Sequence, residues 1–272
     1  MAAYEMAMVT FAQQLKHWRR MRRLSQMQLA SQVDVSIRHA SFLESGRALP
    51  SRDMVRRFAD ALDLPLVESN ALFVSAGYVP PFSDLRRSIA DMPQVGKALD
   101  FILGKQEPYP AIVIDGGWNI TARNEATQKF FAPFHAGYDA PAHVAANAML
   151  TVFHPGALRR YIVNWGGFAA AFLQLLHRDV GRGSTSAAQL LAEVLRFPDV
   201  ASLSPGRIDP DGQFPLMTMK LRKDDYAVSF FSTFTHFALP TDVDTEQLKI
   251  ECFFPADPVT EALAAHLSKA TL

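Results

Sequence analysis

Two stretches of this 272-residue chain carry side chains that could do chemistry on a ligand or a surface. The first runs from Lys16 to Arg57. It holds ten basic residues (Lys16, Arg19, Arg20, Arg22, Arg23, Arg38, Arg47, Arg52, Arg56 and Arg57) against three acids, Asp34, Glu44 and Asp53. The segment is therefore +7, and because the whole chain is neutral the remainder is −7. A compact basic segment on an otherwise acidic protein suggests a nucleic-acid face; a solvated helix surface is the plainer alternative. The second stretch is SFFSTFTHF, Ser229 to Phe237. As a strand it alternates: Phe230, Ser232, Phe234 and His236 share one side, Ser229, Phe231, Thr233, Thr235 and Phe237 the other. The first side either fills a core or walls a cavity for a small apolar molecule.

Enzymatic chemistry finds little support. Eight histidines are scattered without a metal-ligand spacing, and Cys252 is the single cysteine. No GxSxG elbow, Walker loop or GxGxxG fingerprint occurs. The acidic run Asp242 to Glu246 fits a turn before the last strand better than a calcium loop, which needs more oxygen ligands at regular spacing. No catalytic site, no metal and no firm cofactor are expected. A lone cysteine and the absence of a signal-peptide layout suit a cytoplasmic protein. The longest apolar stretch, Gly166 to Leu176, contains Gln174 and is too short for a bilayer, so no membrane association is expected.

The basic stretch needs helices to position it. Phe11, Leu15, Trp18 and Arg22 follow helical spacing. Ser25 with Gln28 forms a capping box before a second helix whose inner side would carry Met27, Leu29, Ala30 and Val33. After the tight break at Asp34–Ser36, Ser36 caps a third helix that ends at Gly46. Ser51 caps a fourth, and a fifth follows Pro65. Five short helices, the second and third joined by a three-residue turn, predict a helix-turn-helix domain over 1–76. The words LSQMQLASQVDVS and FLESGRALPS resemble the phage-repressor-like (XRE) helix-turn-helix family.

In such a domain the third helix enters the major groove by its N-terminal end. Ser36, Ile37, Arg38 and Ser41 are then placed to approach bases or nearby backbone. Arg38 is the best single reader, because a guanidinium grips guanine O6 and N7 together, and Ile37 offers a contact to a thymine methyl. The resemblance places Gln26 on a phosphate, and Arg47 looks like another phosphate contact. The plainer readings make Ser36 only a cap, Leu43 core, and Glu44 the partner of a domain arginine.

A connecting segment, 77–107, bounded by GYVPPF and GKQEPYP and containing one helix, leads to a third region, 108–272. Its expected order is two strands (AIVID and WNITARN), a helix from Asn124 to Phe131, a loop over 132–146, a long helix over 156–177, another over 187–196, and three strands near 215–221, 226–237 and 247–254. A final short helix follows. That order describes an α+β domain, a five-stranded antiparallel sheet with helices on one face, the layout of a PAS-like sensor. YPAIVIDGGWNITARNEA, FHPGALRRYIVNW and SFFSTFTHFALPTDVDTEQLKIECFFPAD, with HASFLESGRALPS, resemble the MmyB-like transcription regulators. The resemblance implies DNA binding as a homodimer, controlled by a small apolar, fatty-acid-like molecule.

For a cavity, the expected walls are Trp118, Phe153, Trp165, Phe168, Phe172, Phe230 and Phe234. Asn164, His236 or Arg159 would hold a polar head. Gly166 and Gly167 sit inside the expected long helix, where each costs about 1 kcal/mol relative to Ala, and would let a ligand or backbone approach. On the last strand Leu248, Ile250, Cys252 and Phe254 would share one side. The alternative is a filled core, with the third region serving only for dimerisation or protein docking.

Overall fold

The computed structural model describes residues 10–85, 88–181, 184–203 and 216–267. In chain order the helices of the first part are α1 (Phe11–Met21), α2 (Gln26–Gln32), α3 (Ile37–Glu44), α4 (Arg52–Ala61) and α5 (Leu66–Ser75). Next come α6 (Pro93–Gln106), β1 (Ala111–Ile114), β2 (Ile120–Arg123), α7 (Glu125–His135), α8 (Ala142–Ala145) and α9 (Ala148–Phe153). The chain continues with α10 (Trp165–Gly181), α11 (Thr185–Val194), β3 (Thr218–Lys223), β4 (Tyr226–Thr235), α12 (Val243–Glu246), β5 (Lys249–Pro255) and α13 (Pro258–Leu267). Two compact units result. One comprises the described residues up to 85 together with Leu239–Glu246; the other holds the rest.

The helices of the first unit begin where a side chain can take up an orphan N–H. Thr10 and Ser25 form full capping boxes with Gln13 and Gln28, and Ser36 and Ser51 cap α3 and α4. Asp34 in a left-handed conformation (φ 51°) makes the tight turn between α2 and α3, and Gly46 (φ 73°) stops α3. Phe11, Leu15, Trp18, Leu29, Val33, Leu43, Val55, Phe58, Leu62 and Leu72 make the core. Met27 departs from the expected inner side: it is 62% exposed, because Leu29, Ala30 and Val33 already complete the buried stripe of a seven-residue helix. The cap of α5 is Pro65, which offers no side-chain acceptor. Glu246 of α12 supplies one instead, accepting from the Leu66 N–H at 2.8 Å, while the Val243 N–H donates to the Ser83 carbonyl at 3.0 Å.

In the second unit the strands pair antiparallel in the order β2-β1-β5-β4-β3. The five-stranded antiparallel sheet is as the sequence suggests, but its covering is not. Helices lie on both faces rather than one. Leu99 and Leu103 of α6 pack with Ala111, Val113, Leu248, Ile250 and Cys252 on one side. On the other side Ile112, Ile114, Val228, Phe230 and Phe253 meet α7, α9, α10 and α11. Ile250 and Cys252 therefore face away from the Phe230 side, and Glu251 and Phe253 face toward it.

The expected long helix is broken. Leu158–Tyr161 is a 3-10 turn, and α10 begins only at Trp165. Between them the backbone serves the sheet edge. The Val163 N–H donates to the Lys220 carbonyl at 2.8 Å, and the Asn164 amide bonds both Thr218 O (2.8 Å) and Lys220 N (3.0 Å). An edge strand needing partners outcompetes the helical ladder here. The loop expected over 132–146 contains the last residues of α7 and all of α8, and α9 follows, capped by Asn147. Trp118 belongs to no strand. It occupies a turn at φ 64°, with its N–H on the Asp115 carbonyl at 3.0 Å. Pro215, the expected start of β3, lies outside the described residues.

Asn124 ties β1 and α7 to the turn at Tyr109. Its Oδ1 accepts from Ala111 N at 2.9 Å and Thr127 N at 3.0 Å, and its Nδ2 donates to Tyr109 O at 2.8 Å. The side chain is buried, so an apolar replacement strands these groups. Asn124→Leu is expected to cost at least ~2 kcal/mol, read as accelerated amide exchange across β1 and the first turn of α7.

Candidate nucleic-acid interface and ligand cavity

In the first unit α3 is anchored by Ala40 and Leu43, both fully buried. Ile37 is half-exposed at the start of the helix, and Arg38 is exposed on the side away from that anchor. The Arg38 guanidinium lies 5.4 Å over the Phe42 ring, which orients it without tying its N–H groups to an acid. The Ser36 hydroxyl is engaged as the cap, accepting from His39 N at 3.1 Å. Ser41 is half-buried, and Arg47 is exposed beyond Gly46.

Several cations of the basic segment are structural. Arg19 grips Glu44 (Nη2 to Oε2 2.9 Å) and the Leu24 carbonyl (2.8 Å). Arg22 holds Leu62 O (2.7 Å) and Asp63 O (2.6 Å), and Arg57 holds Val33 O (2.9 Å). Gln26, expected on a phosphate, donates to Glu44 Oε2 at 2.8 Å. Burial pushes the Glu44 carboxyl up, but the hydrogen bonds from Arg19 and Gln26 and the charges of Arg19 and Lys16 outweigh it, so the pKa is lowered and the group stays ionised. Lys16, Arg20, Arg23, Arg38 and Arg47 remain exposed for an anionic partner.

In the second unit a cavity of about 60 Å³ lies between the sheet and its helices. Phe131, Phe168, Phe172, Phe253, Ile112, Ile120, Val152, Leu158 and Met219 form apolar walls. The polar lining is Arg123, Thr127, His135, Tyr138, Thr151 and Glu251. Thr127 and Thr151 spend their hydroxyls on backbone carbonyls, at 2.8 Å to Ala111 and 2.9 Å to Ala148. That leaves Arg123, His135, Tyr138 and Glu251 to meet a ligand. Burial, then the charge of Arg123, pushes the His135 imidazole down, so it is neutral at pH 7. Burial keeps the Tyr138 phenol protonated. Glu251 is 2% exposed, and burial pushes its carboxyl up to about 7 against a hydrogen bond from Ser232.

Of the residues expected to line a cavity, Phe168 and Phe172 do so, stacked with centroids 4.9 Å apart. The others are placed elsewhere. Trp118 is fully buried between Phe172 (5.9 Å) and Phe234 (5.8 Å), with its indole N–H on Asp179 at 3.1 Å. Phe153 is core, and Phe230 packs on Phe130 at 5.3 Å. Trp165 gives its N–H to Val152 O at 2.9 Å. Arg159 stacks 3.8 Å over Trp165 and bonds Pro198 O (2.8 Å) and Asp199 (3.0 Å). Asn164 is consumed by β3, as described above. His236 is exposed just past the end of β4, where strand alternation no longer governs it. Nothing lies within 4 Å of where a Cβ would stand on Gly166 or Gly167, so no described side chain or backbone uses these glycines for a close approach.

Arg123, His135, Tyr138 and Glu251 were the groups sequence reasoning missed. Arg123 reaches the side of Ile120, three residues away, only because β2 takes up an extra residue where the β1–β2 register shifts between Val113 and Ile114, which strict alternation in the sequence would not show. The proximity of Arg123 and His135 is testable. In an NMR titration His135 should titrate below the ordinary histidine range. Arg123→Gln should raise it only part of the way, because burial is the larger cause.

No helix among the described residues is long and apolar enough to cross a membrane. No curated protein matches the chain. Residues 10–72 match the family model of a helix-turn-helix domain. Residues 95–267, more than half the chain, match that of the MmyB-like transcription regulator ligand binding domain. With a helix-turn-helix unit and that ligand-binding domain in one chain, the protein belongs to the MmyB-like transcription regulators.

Proposed function

We propose that this DNA-binding regulator is controlled by a small apolar acid, fatty-acid-like in character, taken up by a PAS-like second unit. The observation that carries the reading is the cavity. Four phenylalanine rings supply apolar surface, and Arg123 is the cation among its lining residues. At about 60 Å³ the space is smaller than the roughly 150 Å³ cavity known to take up benzene, so an acyl chain enters only as the Phe168–Phe172 pair shifts. That requirement supplies a mechanism. A ligand that fits only the shifted arrangement favours it by its differential affinity, and one that fits both equally changes nothing. Gln26, Ser36, Ile37, Arg38, Ser41 and Arg47 are the proposed DNA contacts, with Gln26 acting through Glu44 to hold α2 on α3. Because one short reading helix covers a half-site, the regulator acts as a homodimer on a two-fold operator, in the cytoplasm.

A second reading has its own support. Trp118, Phe153 and Phe230 are fully buried against other side chains, as in a filled core that serves only dimerisation or docking. Native mass spectrometry before and after solvent extraction separates the two. A stoichiometric apolar acid is expected; an empty protein that takes up no decanoic acid would favour the filled core. On the DNA side, operator titrations at fixed salt should show that Arg38→Ala relaxes preference at one base position, by about 1–3 kcal/mol of discrimination. Arg47→Ala should weaken all sequences alike. Unchanged operator binding by Arg38→Ala would remove α3 from the reading role.

A further inference from the structure

One row of side chains crosses the cavity face of the sheet. Arg123 of β2 pairs with Ile112 of β1, Ile112 pairs with Glu251 of β5, and Glu251 pairs with Phe234 of β4. Directly paired residues of antiparallel strands share a face, so all four project to the same side. Both Arg123 and Glu251 line the cavity. They stand two strand spacings apart, roughly 10 Å, with Ile112 between them.

The two ends of the row differ. Arg123 is exposed, and Glu251 is 2% exposed on the central strand. Lys249, the next residue on the same side of β5, is committed elsewhere: it pairs with Asp179 and lies 4.3 Å over the Trp118 ring. Among the described residues no cation pairs with Glu251; only the Ser232 hydroxyl is bonded to it. An acid on the central strand of a sheet is costly, and packing alone would place an apolar residue there. Plain hydrocarbon laid against it would bar the carboxyl from water and give no hydrogen bond in return. A hydroxyl would satisfy it in either protonation state, whereas a second carboxylate or an ammonium would suit only one.

Resting on the reading of an apolar acid above, we infer that Glu251 determines specificity: the ligand is an amphiphile whose carboxylate meets Arg123 and whose hydroxyl, several carbons along, meets Glu251. Sites that hydrogen-bond a ligand hydroxyl reject the analogue lacking it, because the buried group is left without a partner.

The test compares decanoic acid with 10-hydroxydecanoic acid by calorimetry on the full chain, stripped of any co-purifying compound. Wild type should prefer the hydroxylated acid by at least ~10-fold. Glu251→Leu, and Glu251→Met as the unbranched replacement, should bind decanoic acid at least as well as wild type and lose the preference. Arg123→Gln should weaken both acids in proportion and keep it. Equal binding of the two acids by wild type would overturn the inference while leaving the apolar-acid reading intact. So would a preference that survives loss of the Glu251 carboxyl. Binding of neither acid would overturn both.

Discussion

The second unit is organised by one constraint: its central strand must be dry on both sides. β5 has β1 and β4 as neighbours, so its backbone groups are satisfied within the sheet, and each of its faces has to find apolar cover. Ile250 and Cys252 find theirs in α6, Phe253 in the rings of Phe131 and Phe230. Because α6 occupies one face, the helices around the Phe168–Phe172 cavity gather on the other. The break before α10 has the same origin at the sheet's edge. β3 has a strand partner on only one side, and Val163 and Asn164 supply hydrogen bonds on the other. A continuous helix would have left those groups of β3 to solvent.

The first unit is organised by a different interaction, the Glu44 carboxylate. It ends α3, accepts from Arg19 of α1 and from Gln26 at the start of α2, and is nearly inaccessible. One acid thus fixes three helices, at a position where its own desolvation is repaid by two sets of hydrogen bonds and nearby positive charge. This also divides the basic residues by role. Those that bind carbonyls or Glu44 hold the fold, and the exposed remainder can meet phosphate. The formal +7 of the segment therefore overstates what a DNA backbone would encounter.

Local signals made the first unit readable. Ser25 with Gln28, Ser36 and Ser51 each mark a helix start through a bond three residues long, which needs no knowledge of the rest of the chain. The strands of the second unit were legible from short runs too: period two in β4, and in β1 an unbroken apolar run buried on both sides. The site was not. Which side of β5 faces the cavity depends on what covers each side, and Ile250 and Cys252 look as inward-facing as Phe253 until α6 is seen to take them. Asn164 and Arg159 lie near aromatic residues in sequence, yet the backbone and Asp199 take their polar groups. Arg123 and Glu251 lie 128 positions apart and come together only through Ile112, which pairs with both.

The bond from Leu66 to Glu246 spans 180 residues, and it bears on the order in which the protein is made. A ribosome releases α5 with Pro65 at its head and no acceptor for its first turn, and the missing carboxylate follows only after most of the chain has been synthesised. The DNA-binding unit is therefore left unfinished by its own stretch of message and completed by a segment translated between the last two strands of the other unit's sheet. A nascent chain that stalls before Glu246 carries α1 to α5 complete in sequence but still lacking that closing turn.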